Sequence, residues 1–377
     1  MSVALESRLL PTYPETRVGF VEGDGTRLTG SDGRRYLDFA AGIAVVSLGH
    51  RHPAPLAAAH AQLDRLWHAS NLFATEPAAE LAQALSARFG GAQAFFCNSG
   101  AEANEAAIKY ARKATGKAGV LALEGSFHGR TLGALATTGQ ASKRVAFEPL
   151  GPARFATPND ISSLYGADDG DIGLMLIEPV LGEGGVIPLD PAFVAAASAR
   201  AHELGAILAF DEVQTGVGRT GTFFAWEQLG VKPDLVTLAK ALANGLPIGC
   251  LLVSDEAPRA FAPGDHGSTF GGNPVSCAAA VAVVSTIDDE LLASVSANGE
   301  RLSDGLVELP GVLEARGRGL LLGAVLDRPA QPVADAALDA GLVCLTAGPD
   351  VLRLAPPLVV SVDEIDHALE ILTEVLA

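Results

Sequence analysis

Five short apolar runs recur through the middle of the chain: Ala94–Cys97, Val120–Leu123, Leu174–Ile177, Ile207–Phe210 and Leu235–Leu238. They are apolar at nearly every position instead of alternating, as strands covered on both faces of a parallel sheet read. Between them lie Ala-rich stretches with helical spacing, such as Ala103, Ala106, Ala107 and Tyr110. Strand and helix patterns in alternation predict a doubly wound α/β domain whose crossover helices cover both sheet faces. The two ends read differently. Residues 18–40 alternate and carry the turn signals Gly23-Asp24-Gly25 and Ser31-Asp32-Gly33, which predicts a small antiparallel meander. The last ninety or so residues mix helical patterns with strand-like runs around Gly319–Leu326 and Leu342–Leu345. The pattern predicts a large domain over 45–285 and a smaller α+β domain built from 1–44 and 286–377.

Open sheets of this kind bind ligands beyond the carboxyl ends of their strands, so the chemistry should follow the apolar runs. After the first run comes Asn98-Ser99-Gly100-Ala101-Glu102, opening a helix. A glycine there exposes backbone N–H groups where the helix dipole favours an anion. Its plainer reading is a hinge between strand and helix. After Ile207–Phe210 comes Asp211. A carboxylate at the end of a buried strand is costly to keep charged unless it meets a cation, such as a protonated pyridine nitrogen. Its plainer reading is a turn cap. After Leu235–Leu238 comes Ala239-Lys240, and a partly desolvated lysine has a lowered pKa and a nucleophilic amine. Its plainer reading is a lysine reaching into solvent. Each signal is weak alone. In this order on successive strands, they supply the phosphate, ring-nitrogen and aldehyde contacts of one cofactor.

With Phe127-His128-Gly129-Arg130-Thr131, Gly182-Glu183-Gly184-Gly185, Asp211-Glu212-Val213-Gln214-Thr215-Gly216, His266-Gly267-Ser268-Thr269-Phe270-Gly271-Gly272-Asn273-Pro274 and Leu352-Arg353-Leu354-Ala355-Pro356-Pro357-Leu358 added, the chain resembles the class III pyridoxal-phosphate aminotransferases, and among them the acetylornithine aminotransferases. The resemblance runs from the first third to the end. It implies fold type I, the aspartate-aminotransferase-like transferase fold, and the cofactor pyridoxal 5′-phosphate. It also implies roles. Lys240 carries the cofactor as a Schiff base and moves the proton, and Asp211 pairs with the ring nitrogen. Ser99, Gly100 and Ala101 hold the phosphate, and Phe127 stacks on the ring. His128 and Val213 line the cofactor, and Gln214 reaches the phenolic oxygen. Thr269 serves the phosphate of a neighbouring subunit, so a homodimer with shared sites is expected. Arg130, Glu183, Ser268 and Arg353 are the implied substrate contacts, with Arg130 on the α-carboxylate of the donor.

The reaction implied is ping-pong transfer of the 5-amino group of N2-acetyl-L-ornithine to 2-oxoglutarate, giving glutamate, in arginine biosynthesis. Arg353 can clamp the carboxylate of glutamate bidentately, and Glu183 can neutralise it for the other substrate. Sister ω-aminotransferases for succinylornithine, succinyldiaminopimelate, ornithine or 4-aminobutyrate share this chemistry. A non-catalytic binding protein on the same fold is the alternative from another class, and intact Lys240, Asp211 and Arg353 argue against it. Two departures bear on the acyl pocket: Leu181, where many relatives have Gln, and Ala74, where some have Tyr.

Composition narrows the surroundings. A net charge of −18 from 44 acidic and 26 basic residues disfavours nucleic acid and anionic membrane. Four scattered cysteines without a C-x-x-C pair read as buried thiols of a cytoplasmic protein, not a zinc site. The opening Met1–Leu10 shows no basic region before a long apolar stretch, so no signal peptide is expected. His50 and His52 lack partners at ligand spacing and read as loop residues, with no metal expected. Arg316 and Arg318 read as a turn leading into the following strand.

Overall fold

A computed structural model describes residues 8, 10–13 and 17–377. Most of Met1–Leu10, read above for a leader, lies outside the described residues.

The expected meander forms from Phe20–Asp24 (β1), Arg27–Gly30 (β2) and Arg35–Asp38 (β3), turning at both glycine signals. The large sheet takes Ala92–Cys97 (β4), Gly119–Leu123 (β5), Ala153–Ala156 (β6) and Ile172–Ile177 (β7). After a small hairpin of Val180–Leu181 (β8) and Ile187–Pro188 (β9), it adds Ile207–Asp211 (β10), Leu235–Leu238 (β11) and Gly249–Ser254 (β12). The lateral order is β4-β12-β11-β10-β7-β5-β6. A third sheet contains Val312–Arg318 (β13) and Leu321–Leu326 (β14). Leu342–Val343 (β15) leaves to pair with β3, and Leu345–Thr346 (β16) and Val351–Leu354 (β17) complete the third sheet.

The central strands are covered on both faces, as their composition requires. Leu121, Leu123, Met175, Ile177, Leu208 and Phe210 pack with Phe193, Val194 and Ala197 of the helix Pro191–Leu204. Their sequence neighbours Val120, Leu174, Leu176, Ile207 and Ala209 pack on the other side with Ala106, Ala107 and Tyr110 of the helix Gly100–Thr115. Period-two alternation puts successive residues on opposite faces, so only strands apolar throughout can sit here.

Three expectations need correction. β4 does not pair in parallel. It lies at the sheet edge against β12, antiparallel, and its middle residues are only half-buried. The connection 239–248 between β11 and β12 is shorter than the dozen or so residues that a parallel crossover needs, so β12 must return antiparallel. The sheet also holds β6 and β12, which the five runs do not include. Arg316 and Arg318 lie within β13 itself, where Arg316 Nε donates to the Gly185 carbonyl at 2.8 Å; the turn comes after them.

Arg219 clamps the pieces together. It is wholly buried, and its Nη1 donates to the carbonyls of Leu320, at 3.0 Å, and Pro356, while Nη2 donates to Ser47 Oγ at 3.1 Å. Arg219→Met keeps the length and strands these acceptors, and is expected to remove about 3 kcal/mol of stability. An unchanged denaturation midpoint would contradict that role.

Candidate active site

The carboxyl ends of β4, β5, β7, β10 and β11 point the same way, since β12 is the one reversed strand of the large sheet. Beyond them lies a cavity of about 400 Å³. Its walls include Ser99, Gly100, Ala101, Phe127, His128, Arg130, Glu183, Asp211, Val213, Gln214 and Lys240. Eleven of the fourteen expected site residues therefore meet in one place. Ser268 and Thr269 do not line the cavity of their own chain, and Arg353 reaches it through Glu183.

Ser99 caps the helix Gly100–Thr115, its Oγ accepting from Glu102 N–H at 3.2 Å. The first N–H groups of a helix have no acceptor one turn back, so those of Gly100 and Ala101 remain for a ligand. A Cβ on Gly100 would come within 2.7 Å of the Val213 side chain. Only glycine lets the cup and the turn after β10 approach this closely.

Asp211 ends β10, 3 % exposed. Its Oδ2 accepts from His128 Nδ1 and from Asn104 Nδ2, both at 2.7 Å, and Oδ1 accepts from Val213 N–H at 3.0 Å. This carboxylate is held by donors and still faces the cavity. Phe127 is half-buried, with the Arg130 guanidinium 5.7 Å from its ring centre at the exposed rim.

Lys240 follows β11 at φ 32°, a conformation that side-chain-bearing residues seldom adopt and that surrounding structure must hold. Burial pushes its amine down to about 8, with Arg353 adding to the effect and the carboxylates of Glu183, Glu178 and Asp211 opposing it. At pH 7.5 about a quarter of such amines are neutral, against about one in a thousand for an ordinary lysine. Labelling of Lys240 in the apoenzyme by an amine reagent should therefore quicken with pH, reach half its maximum near 8 and level off above it. A plateau delayed to the ordinary lysine range would mean a solvated amine.

Glu183 is ion-paired with Arg353. Burial alone would raise its carboxyl, but the guanidinium holds it below the usual range. Arg353, 4 % exposed on β17, also donates to the Gly182 carbonyl at 3.1 Å and to Gln214 Oε1 at 3.2 Å. Ser268 Oγ accepts from Asn98 Nδ2 at 3.1 Å and Gly271 N–H at 3.0 Å, which leaves Thr269 exposed beside Phe270. Leu181 packs in the core with Met175 and Phe193, and neither it nor Ala74 lines the cavity.

Two residues of the site escaped the reading of the sequence. Glu178 stands directly after β7, by the same strand-end rule that singles out Asp211. Its Oε2 accepts from Phe127 N–H at 2.9 Å and its Oε1 from Gly182 N–H at 3.3 Å, and burial raises its carboxyl to about 7. Asn104 is a polar residue on an otherwise Ala-rich buried helix face. His50 and His52 have other work: His50 Nε2 bonds Asp38 Oδ2 at 2.8 Å, and His52 caps the helix Pro53–Leu63. Among the described residues no His, Cys, Asp and Glu cluster could hold a metal ion, and no helix is long and apolar enough to cross a membrane.

The donor set fits pyridoxal phosphate: free backbone N–H groups at Gly100 and Ala101, a carboxylate held by three donors and facing the cavity, a flanking aromatic ring and a depressed lysine amine. Comparisons with known proteins agree. An acetylornithine aminotransferase of Corynebacterium efficiens is 47 % identical over 98 % of this chain and 95 % of that protein. The crystal structure of N-acetylornithine aminotransferase from Stenotrophomonas maltophilia is 38 % identical, covering 97 % of this chain and 96 % of that one, with a TM-score of 0.83. An ornithine aminotransferase from Toxoplasma gondii, described with partial occupancy of PLP at its active site, is 30 % identical with a TM-score of 0.93, covering 98 % of this chain and 92 % of that one. Residues 11–376 match the family described as aminotransferase class-III, and the chain belongs to that family.

Proposed function

We propose that this enzyme transfers the 5-amino group of N2-acetyl-L-ornithine to 2-oxoglutarate, forming glutamate, in the cytoplasmic synthesis of arginine. The observation that carries a two-substrate site is the buried Arg353 paired with Glu183 beside Lys240. The names of the relatives support the acyl-ornithine donor.

The positions of the residues support the following roles. Pyridoxal phosphate, when bound, supplies an aldehyde carbon for the amine and a ring that accepts the electron pair. Gly100 and Ala101 would hold its phosphate and Asp211 its ring nitrogen, with Phe127 covering one face. Lys240, its amine lowered to about 8, would hold the cofactor's aldehyde carbon and carry the proton beside it. Arg353 clamps the carboxylate of glutamate when Glu183 moves aside, and is neutralised by Glu183 when the donor presents an uncharged distal carbon. Arg130, exposed at the rim, would meet the donor's α-carboxylate.

We infer a homodimer with shared sites. Supporting it, Trp67, Leu72, Phe73 and Phe270 are exposed together, tied by Asn71 Nδ2 donating to the Ser268 and Gly271 carbonyls at 2.9 and 2.8 Å. Thr269 projects from this patch and not into its own cavity. The reading of 45–285 as the cofactor-binding unit, with 1–44 and 286–377 as the second, is supported by β15 joining β3.

The test is a half-reaction titration. Holoenzyme is mixed separately with N2-acetyl-L-ornithine, ornithine, 4-aminobutyrate and glutamate while its visible band is followed. Conversion by N2-acetyl-L-ornithine and glutamate at far lower concentration than by the others is expected. Ornithine or 4-aminobutyrate acting first would replace the donor and keep the family.

A further inference from the structure

Asn104 takes part in no role assigned so far, yet its amide is bonded to three separate elements of the site. It is 1 % exposed in the second turn of the helix Gly100–Thr115, among Ala103, Ala106 and Ala107. Asparagine is a poor helix former, and an unsatisfied buried amide costs several kcal/mol, roughly 2–7. Here nothing is unsatisfied. One amide N–H donates to Asp211 Oδ2 and the other to the His128 carbonyl, both at 2.7 Å, and Oδ1 accepts from Thr237 Oγ1 at 2.8 Å. A flipped amide would press its oxygen against a carboxylate and a carbonyl, so the orientation is fixed. Thr237, 0 % exposed, lies on β11 three positions before Lys240.

One side chain thus joins the helix of the phosphate cup, the loop of Phe127 and His128, the strand of Asp211 and the strand that delivers Lys240. An ionised carboxylate offers about four acceptor positions. Asn104, His128 and Val213 fill three of those on Asp211, leaving one for the cavity. We propose that Asn104 is the positioning residue that orients Asp211 and directs its last acceptor position at the cofactor ring, with Thr237 fixing the amide. This rests on the membership in the aminotransferase family and on Asp211 meeting the ring nitrogen.

Asn104→Asp keeps the shape but sets a second carboxylate against Asp211, so the pair must share a proton. The charged or titratable groups facing Asp211 are His128 from the loop, Glu178 from the end of β7, Glu212 from its own strand end and Lys240 from β11. None is altered by the substitution. The experiment follows three readouts on holoenzyme: the pH at which the visible band titrates, the rate of pyridoxal-phosphate loss to a scavenger, and kcat apart from KM. Expected for Asn104→Asp are a shifted titration, cofactor loss at least about tenfold faster, and kcat lower by about 10²-fold with KM for the donor little changed. Thr237→Val, which keeps shape and removes the hydroxyl, should shift the titration in part, and Thr237→Ser should restore it. A purely structural role would lower the melting temperature and leave titration and cofactor loss unmoved; that result overturns the proposal. If Asn104→Asp does not fold, a wild-type titration in Thr237→Val overturns it equally. Wild-type enzyme that shows no visible band would instead overturn the reading of the cofactor.

Discussion

Replacing Lys240 with alanine is expected to lower turnover by at least about 10³-fold while leaving the fold and much of the cofactor affinity in place. In the proposed mechanism the amine has two tasks, nucleophile and proton carrier, and general acid–base work alone contributes roughly 10²–10⁴-fold. The binding contacts are elsewhere: the cup at Ser99, Gly100 and Ala101, and the carboxylate of Asp211 with its three donors. Lys240→Ala should therefore retain pyridoxal phosphate without a covalent link. Borohydride treatment followed by peptide mapping should label Lys240 in the wild type and no lysine in the variant. A small amine from solution should restore part of the proton transfer, since the cavity that held the side chain is left open. Turnover within tenfold of wild type would remove Lys240 from the mechanism.

The sequence spoke most clearly where one force acted alone. The inner strands are apolar throughout because both faces are covered, so β5, β7, β10 and β11 could be read directly. Strand ends then gave Asp211 and Lys240, since charge at the end of a buried strand is an anomaly that demands a partner. β4 misled because an edge strand beside a reversed neighbour has a similar composition, and pairing direction leaves no mark on residue type. Glu178 carried the same signal as Asp211, but its partners are backbone N–H groups of Phe127 and Gly182, and these leave no trace in a sequence. Asn104 was hidden for a related reason. Its partners come from three other elements, and only the assembled sheet brings them to one amide.

Arg353→Leu is expected to separate the two half-reactions. The guanidinium is 4 % exposed and pairs with Glu183, so its removal takes away the proposed clamp for the carboxylate of glutamate and leaves Glu183 unpaired. Losing one partner of a buried, hydrogen-bonded charge contact to a ligand costs roughly 2–5 kcal/mol, which is about 30- to several-thousand-fold in the half-reaction with glutamate or 2-oxoglutarate. The donor half-reaction never uses that clamp and should fall far less. Glu183→Gln should do the reverse: the acceptor half keeps its arginine, while the donor half now meets an uncompensated positive charge. Stopped-flow measurement of each half-reaction separates the cases, and a Glu183 variant with both halves unchanged would sink the exchange. The pair also acts on Lys240. Arg353 helps hold that amine down to about 8, so the Arg353→Leu enzyme should reach its labelling plateau at higher pH than wild type. Arg353, the proposed acceptor clamp, would then also tune the nucleophile, against the stronger opposing pull of Glu183. A plateau that stayed put would make burial alone the cause of the lowered amine, and the clamp a matter of specificity only.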